Sequence, residues 1–398
     1  MRHIVANRMS RLKAESAFFV LQKAKMLEKQ GFNIIHFEIG EPDFDTPEHI
    51  KEAAIKALKE GYTHYTPSPG IPELREAIAD SIKEEFGVEY TPEEVIVTPS
   101  GKTAIFYAIV SVVEEGDEVI IPTPSFPAYE SVVRFLNAKP VFVELKEEED
   151  FRLKPERVES KITSKTKAII INSPHNPCGS IITRSDVEGL ADLALKHDLI
   201  LITDDVYHKL IYDGFKHESV VSIPDVKDRT ILINSLSKTY AMTGWRVGYI
   251  AANRELINHM IVLQNNVVSC VPSFIQKASI AALRGPQGFI KKMVEEYRRR
   301  RDTIVDGLNK IRGFKCRKPL GAFYAFVNVK RTGLKDTELV EYLLKEAKVA
   351  TLHGSAFGYG GEGYLRFSYA TSMESIKEGL ERIKEAVEKL PERYFEKS

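Results

Sequence analysis

The stretch NSLSKTYAMTGWRVGY (234–249) gathers reactive groups. Lys238 follows the apolar triplet Ile231-Leu232-Ile233, with Ser235 and Ser237 just ahead of it. Arg246 comes eight residues later, next to Trp245, the only tryptophan in the chain. A lysine set among small hydroxylic residues at the end of an apolar run is placed rather than scattered. Similar groups follow other apolar runs. After VIVT (95–98) comes Pro99-Ser100-Gly101-Lys102-Thr103, opening a helical pattern. Backbone N–H groups, a hydroxyl and a helix dipole at such a point make a phosphate cradle. VIIP (119–122) is followed by TPSFPAY with Phe126, and AIIIN (168–172) by SPHNPCG with Asn176. LILIT (199–203) leads into Asp204, Asp205 and Tyr207.

Each of these has a plain alternative. Asn176-Pro177 reads as a turn, Asp204 as a helix cap, Phe126 as core. Other motifs fail on context. GYGGEG (358–363) matches G-x-G-x-x-G, but no strand leads directly into it and no helix follows, so it reads as a loop. SLSK (235–238) matches the S-x-x-K of penicillin-binding enzymes, whose S-D-N and K-T-G partners are missing. His175 and Cys178 lack the further ligands of a metal site, so no metal is expected.

The elements that must position these groups are legible. Seven short β-rich apolar runs, ending with VFVEL (141–145), TILIN (230–234) and VGYIAA (247–252) among them, mostly alternate with helical spacing. Examples of the latter are 103–116 and 185–198, where Val187, Leu190 and Leu193 share a face. Continuous apolar strands interleaved with helices predict an α/β fold: a mostly parallel sheet covered on both faces. Ligands of such a sheet bind beyond the carboxyl ends of the strands. That edge collects phosphate ligands, a flat ring, an amide, a carboxylate, a phenol and a lysine. Upstream, Pro72 suits a first helical turn, with Leu74, Ile78 and Ile82 recurring every four residues. A long helix is predicted over 288–311, with Arg298–Arg301 as a solvated face. GAFYAFVNV (321–329) and GYLRFSYA (363–370) alternate and are flanked by amphipathic helices, predicting a smaller α+β domain.

Length and composition set the bounds. A chain of 398 residues exceeds one simple core and predicts two domains. Lys+Arg and Asp+Glu are both 56, which argues against a general nucleic-acid or anionic-membrane role. No run has membrane-spanning length, and MRHIVANRMSRLKAE lacks a signal-peptide core. Three distant cysteines form no C-x-x-C pair, and the expected compartment is the reducing cytoplasm. Five glutamines against abundant Glu and Lys hint at a thermophilic source.

The chain resembles the fold-type I, pyridoxal-phosphate-dependent class I aminotransferases, in their aspartate-aminotransferase-like branch common in bacteria and archaea. The resemblance runs from GEPDFDTP (40–47) to LRFSYATS (365–372) and includes HYTPSPGIPELREAI (64–78), SPHNPCG, DDVY, SLSKTYAMTGWRVGY and KPLGAFY (318–324). It implies a seven-stranded, mostly parallel sheet in a large domain over 46–288. A smaller α+β domain over 289–398 would join the N-terminal segment 1–45.

The resemblance also implies roles. Lys238 would carry the cofactor and move the proton at the substrate's Cα. Asp204 would pair with the pyridine nitrogen, while Tyr207 and Asn176 would hydrogen-bond the ring oxygen. Phe126 would stack on the ring. Ser100, Gly101, Ser235, Ser237 and Arg246 would hold the phosphate. Arg366 would grip the substrate α-carboxylate, with Gly40 offering a backbone contact. Tyr65 would reach the phosphate of a neighbouring subunit, implying a homodimer with shared sites. Lys102 would serve either the distal carboxylate of a dicarboxylic substrate or the cofactor phosphate. Ser16 matches a segment closing over the same end. The family's usual N-N-P-T-G is here His175-Asn176-Pro177-Cys178-Gly179, and Asp205 stands where many relatives have glutamate.

The expected reaction is transfer of an α-amino group, aspartate's favoured, to 2-oxoglutarate in two half-reactions. The alternatives are an aromatic or broad-specificity, alanine-type aminotransferase, a C–S β-lyase or a decarboxylase on the same fold. From outside the enzymes comes the ligand-binding domain of a transcription regulator, for which some forty N-terminal residues leave little room.

Overall fold

The structure is a computed structural model that describes residues 4–12, 15–392 and 395. Seven strands build the main sheet: β1 (Val95–Thr98), β2 (Glu118–Thr123), β3 (Lys139–Glu144), β4 (Thr166–Asn172), β5 (Ile200–Asp204), β6 (Thr230–Ser235) and β7 (Gly248–Ala251). Their order is β1-β7-β6-β5-β4-β2-β3. β2 to β6 are mutually parallel, and β7 runs antiparallel to both β1 and β6. These are the seven apolar runs of the sequence. Ala168, Ile169, Ile170 and Ile171 are all fully buried, so β4 has helices on both faces and no reason to alternate.

Local chemistry starts and stops the helices. Pro72–Phe86 begins with proline and ends on Gly87 at φ 70°, burying Leu74, Ile78 and Ile82. Arg184–His197 opens with a Thr183–Asp186 capping box and buries Val187, Leu190 and Leu193. The helix expected over 103–116 is shorter, Gly101–Val110. The chain needs the remaining residues to turn into β2, with Gly116 at φ 90° and the Glu114 N–H bonded to Asp117 Oδ2 at 2.8 Å.

A second, antiparallel sheet takes the order Leu352–His353, Tyr364–Ser368, Tyr324–Asn328, Lys315–Cys316. Ile35–His36 pairs in parallel with Val349–Ala350 and ties the chain ahead of Gly40 to this part. One core runs from Ile169 and Ile171 through Tyr207 and Leu210 to Phe323 and Phe367, so the two sheets share it.

The arginine run departs from expectation. Gly288–Leu308 is helical, but only Arg298 and Arg299 face solvent. Arg300 is buried and bonds both Asp43 oxygens at 2.8 and 2.9 Å. Arg301, fully buried, bonds Asp213 at 2.9 Å and the Pro319 carbonyl at 3.2 Å and lies over the Tyr212 ring. Aspartates from distant loops make burial of these two charges tolerable.

Candidate active site

The carboxyl edge of the main sheet and the second sheet enclose a cavity of about 390 Å³. Every site residue predicted from the sequence lines it except Tyr65, which is 87% exposed. Topology brings them together. Parallel β4, β5 and β6 end side by side, with Asn172 opposite Asp204 and Asp204 opposite Ile233. Antiparallel β7 starts at the same edge and delivers Arg246 beside Ser235. Two turns of backbone meet there. A Cβ on Gly248 would come within 2.7 Å of the Gly101 nitrogen and the Ser100 carbonyl carbon, so only glycine allows this approach. Ser100, at φ 147°, caps the Gly101 helix through Oγ, which accepts from the Thr103 N–H at 3.0 Å. The first N–H groups of that helix have no intrahelical partner, and its positive end faces the cavity edge. Ser235 Oγ likewise accepts from the Ser237 N–H at 3.2 Å.

Lys238 lines the cavity, and its Nζ donates to the Gly40 carbonyl at 2.6 Å. Burial lowers the ammonium pKa to about 8, with the charges of Arg366, Arg246 and Lys102 acting in the same direction against Glu41. Such a lysine sheds its proton readily and becomes a nucleophilic amine.

The two aspartates separate cleanly. Asp204 lines the cavity and Asp205 does not. Burial raises Asp204 to about 6, although the Tyr129 hydroxyl donates to its Oδ2 at 2.6 Å. Burial also pushes Asp205 up, but His217, 3.1 Å away, and hydroxyls including Thr203, at 2.7 Å, hold it below its ordinary value. Asp205 is a core carboxylate lying against His217 and the Thr203 hydroxyl. Asp204 is a carboxylate short of a cation.

Arg366 sits on strand Tyr364–Ser368, 4% exposed, between the rings of Tyr324 and Phe357 at 4.5 and 4.9 Å. Its Nη1 donates to Asn176 Oδ1 at 3.1 Å and its Nη2 to the Glu38 carbonyl at 2.6 Å. Its buried Nε has no hydrogen-bond partner among the described residues. The hydroxyls of Tyr207 and Tyr324 meet at 2.7 Å. Gly40 must be glycine, since a Cβ would lie 2.2 Å from the Tyr324 hydroxyl. At the mouth, the Lys102 ammonium lies 5.5 Å over the Phe126 ring and is ion-paired with Glu15. Ser16 begins the helix Ser16–Lys29 beside it.

Four functional contacts escaped the sequence reading: Asn172, Tyr129, Tyr324 and Glu15. Tyr129 closes TPSFPAY, Asn172 closes AIIIN and Tyr324 closes KPLGAFY, so for the first two the carboxyl edge of the main sheet is the available signal. Asn172 Nδ2 donates to the Asp204 carbonyl at 2.9 Å, and its Oδ1 accepts from the Asn176 N–H at 3.0 Å. Glu15 carried no signal. His175 is buried, with its pKa lowered to about 3 by burial, and does not line the cavity. Where the family's usual motif has asparagine, His175 adds no hydrogen bond at the site, because neither ring nitrogen bonds a described residue.

The donor set fits pyridoxal phosphate. Asp204 lacks the cation that a protonated pyridine nitrogen would supply. Ser100, Ser235, Ser237, Arg246 and a helix start offer phosphate donors at one end, and Lys238 an amine between.

Fold and cavity together define an enzyme that works with a phosphorylated ring cofactor held at the edge of a parallel sheet. The sequence profile of aminotransferase class I and II matches residues 33–383. An aspartate aminotransferase of Pyrococcus abyssi is 46% identical over 88% of this chain and 90% of its own. The aromatic-amino-acid aminotransferase 2 of Thermococcus litoralis is 44% identical over 88% of this chain and 90% of its own. The crystal structure of the aspartate aminotransferase from Rhizobium meliloti superposes with a TM-score of 0.93, at 40% identity over 98% of this chain and all of that one. The chain belongs to the class I and II aminotransferases. It is a pyridoxal-phosphate-dependent aminotransferase of fold type I.

Proposed function

We propose that the enzyme takes amino groups from a dicarboxylic donor, aspartate foremost, and passes them to 2-oxoglutarate. The observation carrying this reading is that, beside Lys238 and Arg246, the cavity is lined by two more cations, Arg366 deep inside and Lys102 at the mouth, the latter ion-paired with Glu15. Bound pyridoxal phosphate supplies an electron sink for negative charge developing at the amino acid's Cα. The chain does the rest. Arg366 presents a planar fork to the α-carboxylate, held in position by Asn176, Tyr324 and Phe357. Lys238, its pKa lowered to about 8 by burial, would take up the proton at Cα once the incoming amino acid has displaced it, and would release that proton again. Asp204 keeps the pyridine nitrogen protonated: an ion pair at ~4 Å and an effective dielectric near ~20 gains on the order of 4 kcal/mol before desolvation. Tyr207 and Asn176 donate to the ring oxygen, Phe126 covers the ring, and Ser100, Gly101, Ser235, Ser237 and Arg246 hold the phosphate. Gly40 and Ser16 belong to the segment that covers the substrate.

In the proposed assembly, residues 46–288 hold the cofactor, while 1–45 with 289–398 close over it. Exposed Tyr65 serves the site of a second copy in a cytoplasmic homodimer. Lys102→Asn tests the dicarboxylate reading. It should lower kcat/KM for aspartate and glutamate by ~10- to 100-fold, the worth of one charge-assisted contact. Phenylalanine and alanine should be far less affected. A uniform loss across donors, with weaker cofactor retention, assigns Lys102 to the phosphate. An aromatic or broad-specificity enzyme is then the better reading. The apolar walls of Ile105, Phe126, Leu352 and Phe357 favour that second possibility.

A further inference from the structure

The mouth of the cavity holds a charge that no part of the transamination chemistry uses. Glu15 lines the cavity, and its carboxylate is ion-paired with the Lys102 ammonium. It stands at the N-cap of the helix Ser16–Lys29, yet its side chain makes no capping bond. Glutamate is also not a favoured residue at such a cap. The helix dipole favours a carboxylate at this end, but the side chain leaves the free backbone N–H groups and turns to Lys102 instead. Its charge is felt deeper in the cavity, where it helps hold the Arg366 proton on and opposes ionisation of Tyr324. Lys102 remains half exposed, with the other side of its ammonium toward Phe126, so the pair can exchange partners at the mouth.

We infer that Glu15 is a specificity-determining residue: an internal carboxylate that occupies Lys102 when the substrate side chain is uncharged and yields it to the distal carboxylate of a dicarboxylate. This inference rests on the proposed substrate role of Lys102. In the paired state the mouth is neutral and walled by Phe126, Phe18 and Leu352, which suits an aromatic or aliphatic side chain. With Glu15 displaced, Lys102 is bare and suits aspartate, glutamate and 2-oxoglutarate. A transaminase that accepts an uncharged donor in one half-reaction and a dicarboxylic oxo acid in the other needs both states. A fixed lysine alone would leave an unpaired charge against the uncharged substrate. The competition also limits dicarboxylate binding, because the incoming carboxylate must displace one already in place.

The test is Glu15→Gln, which keeps size and removes charge. In the cofactor-loaded enzyme, competitive inhibition constants are measured for succinate and for 3-phenylpropanoate, alongside kcat/KM for aspartate and phenylalanine. The ratio of succinate to 3-phenylpropanoate affinity should rise tenfold or more, and the kcat/KM ratio should move the same way. A merely structural effect on the helix would move both inhibitors together and leave the ratio unchanged, and that result overturns the inference. Lys102→Asn measured in parallel separates the two readings. Loss of succinate affinity alone in that variant, with no ratio change in Glu15→Gln, rejects the gate and keeps Lys102 as a substrate residue. Equal loss of both inhibitors in Lys102→Asn rejects the substrate role itself.

Discussion

Removing one hydroxyl, by Tyr129→Phe, should convert cofactor binding into a steeply pH-dependent event. The Tyr129 hydroxyl donates to Asp204 at 2.6 Å, and both groups are buried. Burial sets Asp204 at about 6 against this hydrogen bond, which favours the ionised form. A hydrogen bond to a charged acceptor is worth ~1.5–3 kcal/mol, so its loss should raise the carboxyl of the cofactor-free protein by ~1–2 pKa units. Only ionised Asp204 can pair with a protonated pyridine nitrogen. Affinity near pH ~6 should therefore fall ~5- to 50-fold, while near pH ~9, where Asp204 is ionised in both proteins, the difference should be under ~2-fold. Phenylalanine preserves the ring, which packs edge-on to Phe126 at 5.8 Å, so folding is little disturbed. Titrating the apoprotein with pyridoxal phosphate across this range, followed by visible absorbance, measures the effect. A loss of equal size at both ends, or no loss at either, would refute the assignment of Asp204 as the carboxylate whose ionisation the cofactor needs.

The neighbouring aspartates should behave oppositely. Asp204→Asn should fold with a near-normal melting temperature and lose most cofactor and transamination. Asp205→Asn breaks a buried pair with His217 and should cost about 3 kcal/mol of stability while the cofactor is retained. Thermal melts and bound-cofactor absorbance on both variants decide, and the reverse pattern would exchange their roles. A third test reads acid stability. Burial favours the neutral form of Glu85, but His208 and Lys209, each 2.5 Å away, hold it at about 2 instead of its ordinary 4.5. A lowered carboxyl stabilises the fold above its unfolded value and loses that contribution as pH falls through the folded one. Wild type should exceed Glu85→Gln by on the order of 3 kcal/mol at neutral pH, and the gap should close between about 4.5 and about 2. Denaturant melts at several pH values measure it; a constant gap would deny the coupling.

The main sheet was readable because most of its strands are buried on both faces and show as unbroken apolar runs, the edge strand β3 being the half-exposed exception. The carboxyl ends of those runs then pointed to Lys238, Asp204 and Ser100 without any knowledge of packing. What escaped notice has no local pattern. Tyr129 reaches Asp204 across 75 positions, Tyr207 meets Tyr324 across 117, and Lys102 meets Glu15 across 87. The two-residue strand Ile35–His36 is too short to show a period. The solvated reading of Arg300 and Arg301 fails because their partners, Asp43 and Asp213, lie in loops far along the chain. Helix spacing describes which face a residue occupies, and only tertiary structure says what covers that face.

The antiparallel strand β7 governs when the site comes into being. Thr98 lies opposite Gly248, so the phosphate cradle is completed by joining two segments separated by almost all of the main sheet's sequence. Closing so long a loop costs entropy that is repaid only once the intervening strands are in place. A chain emerging from the ribosome with Lys238 already made still lacks the β7 edge against which Ser100 and Gly101 close. The burial that lowers the Lys238 pKa belongs to the folded structure, so only there does this amine differ from the chain's other lysines. Cofactor capture is thereby reserved for chains that have folded through to Ala251, and tight binding at that point stabilises the native state by mass action.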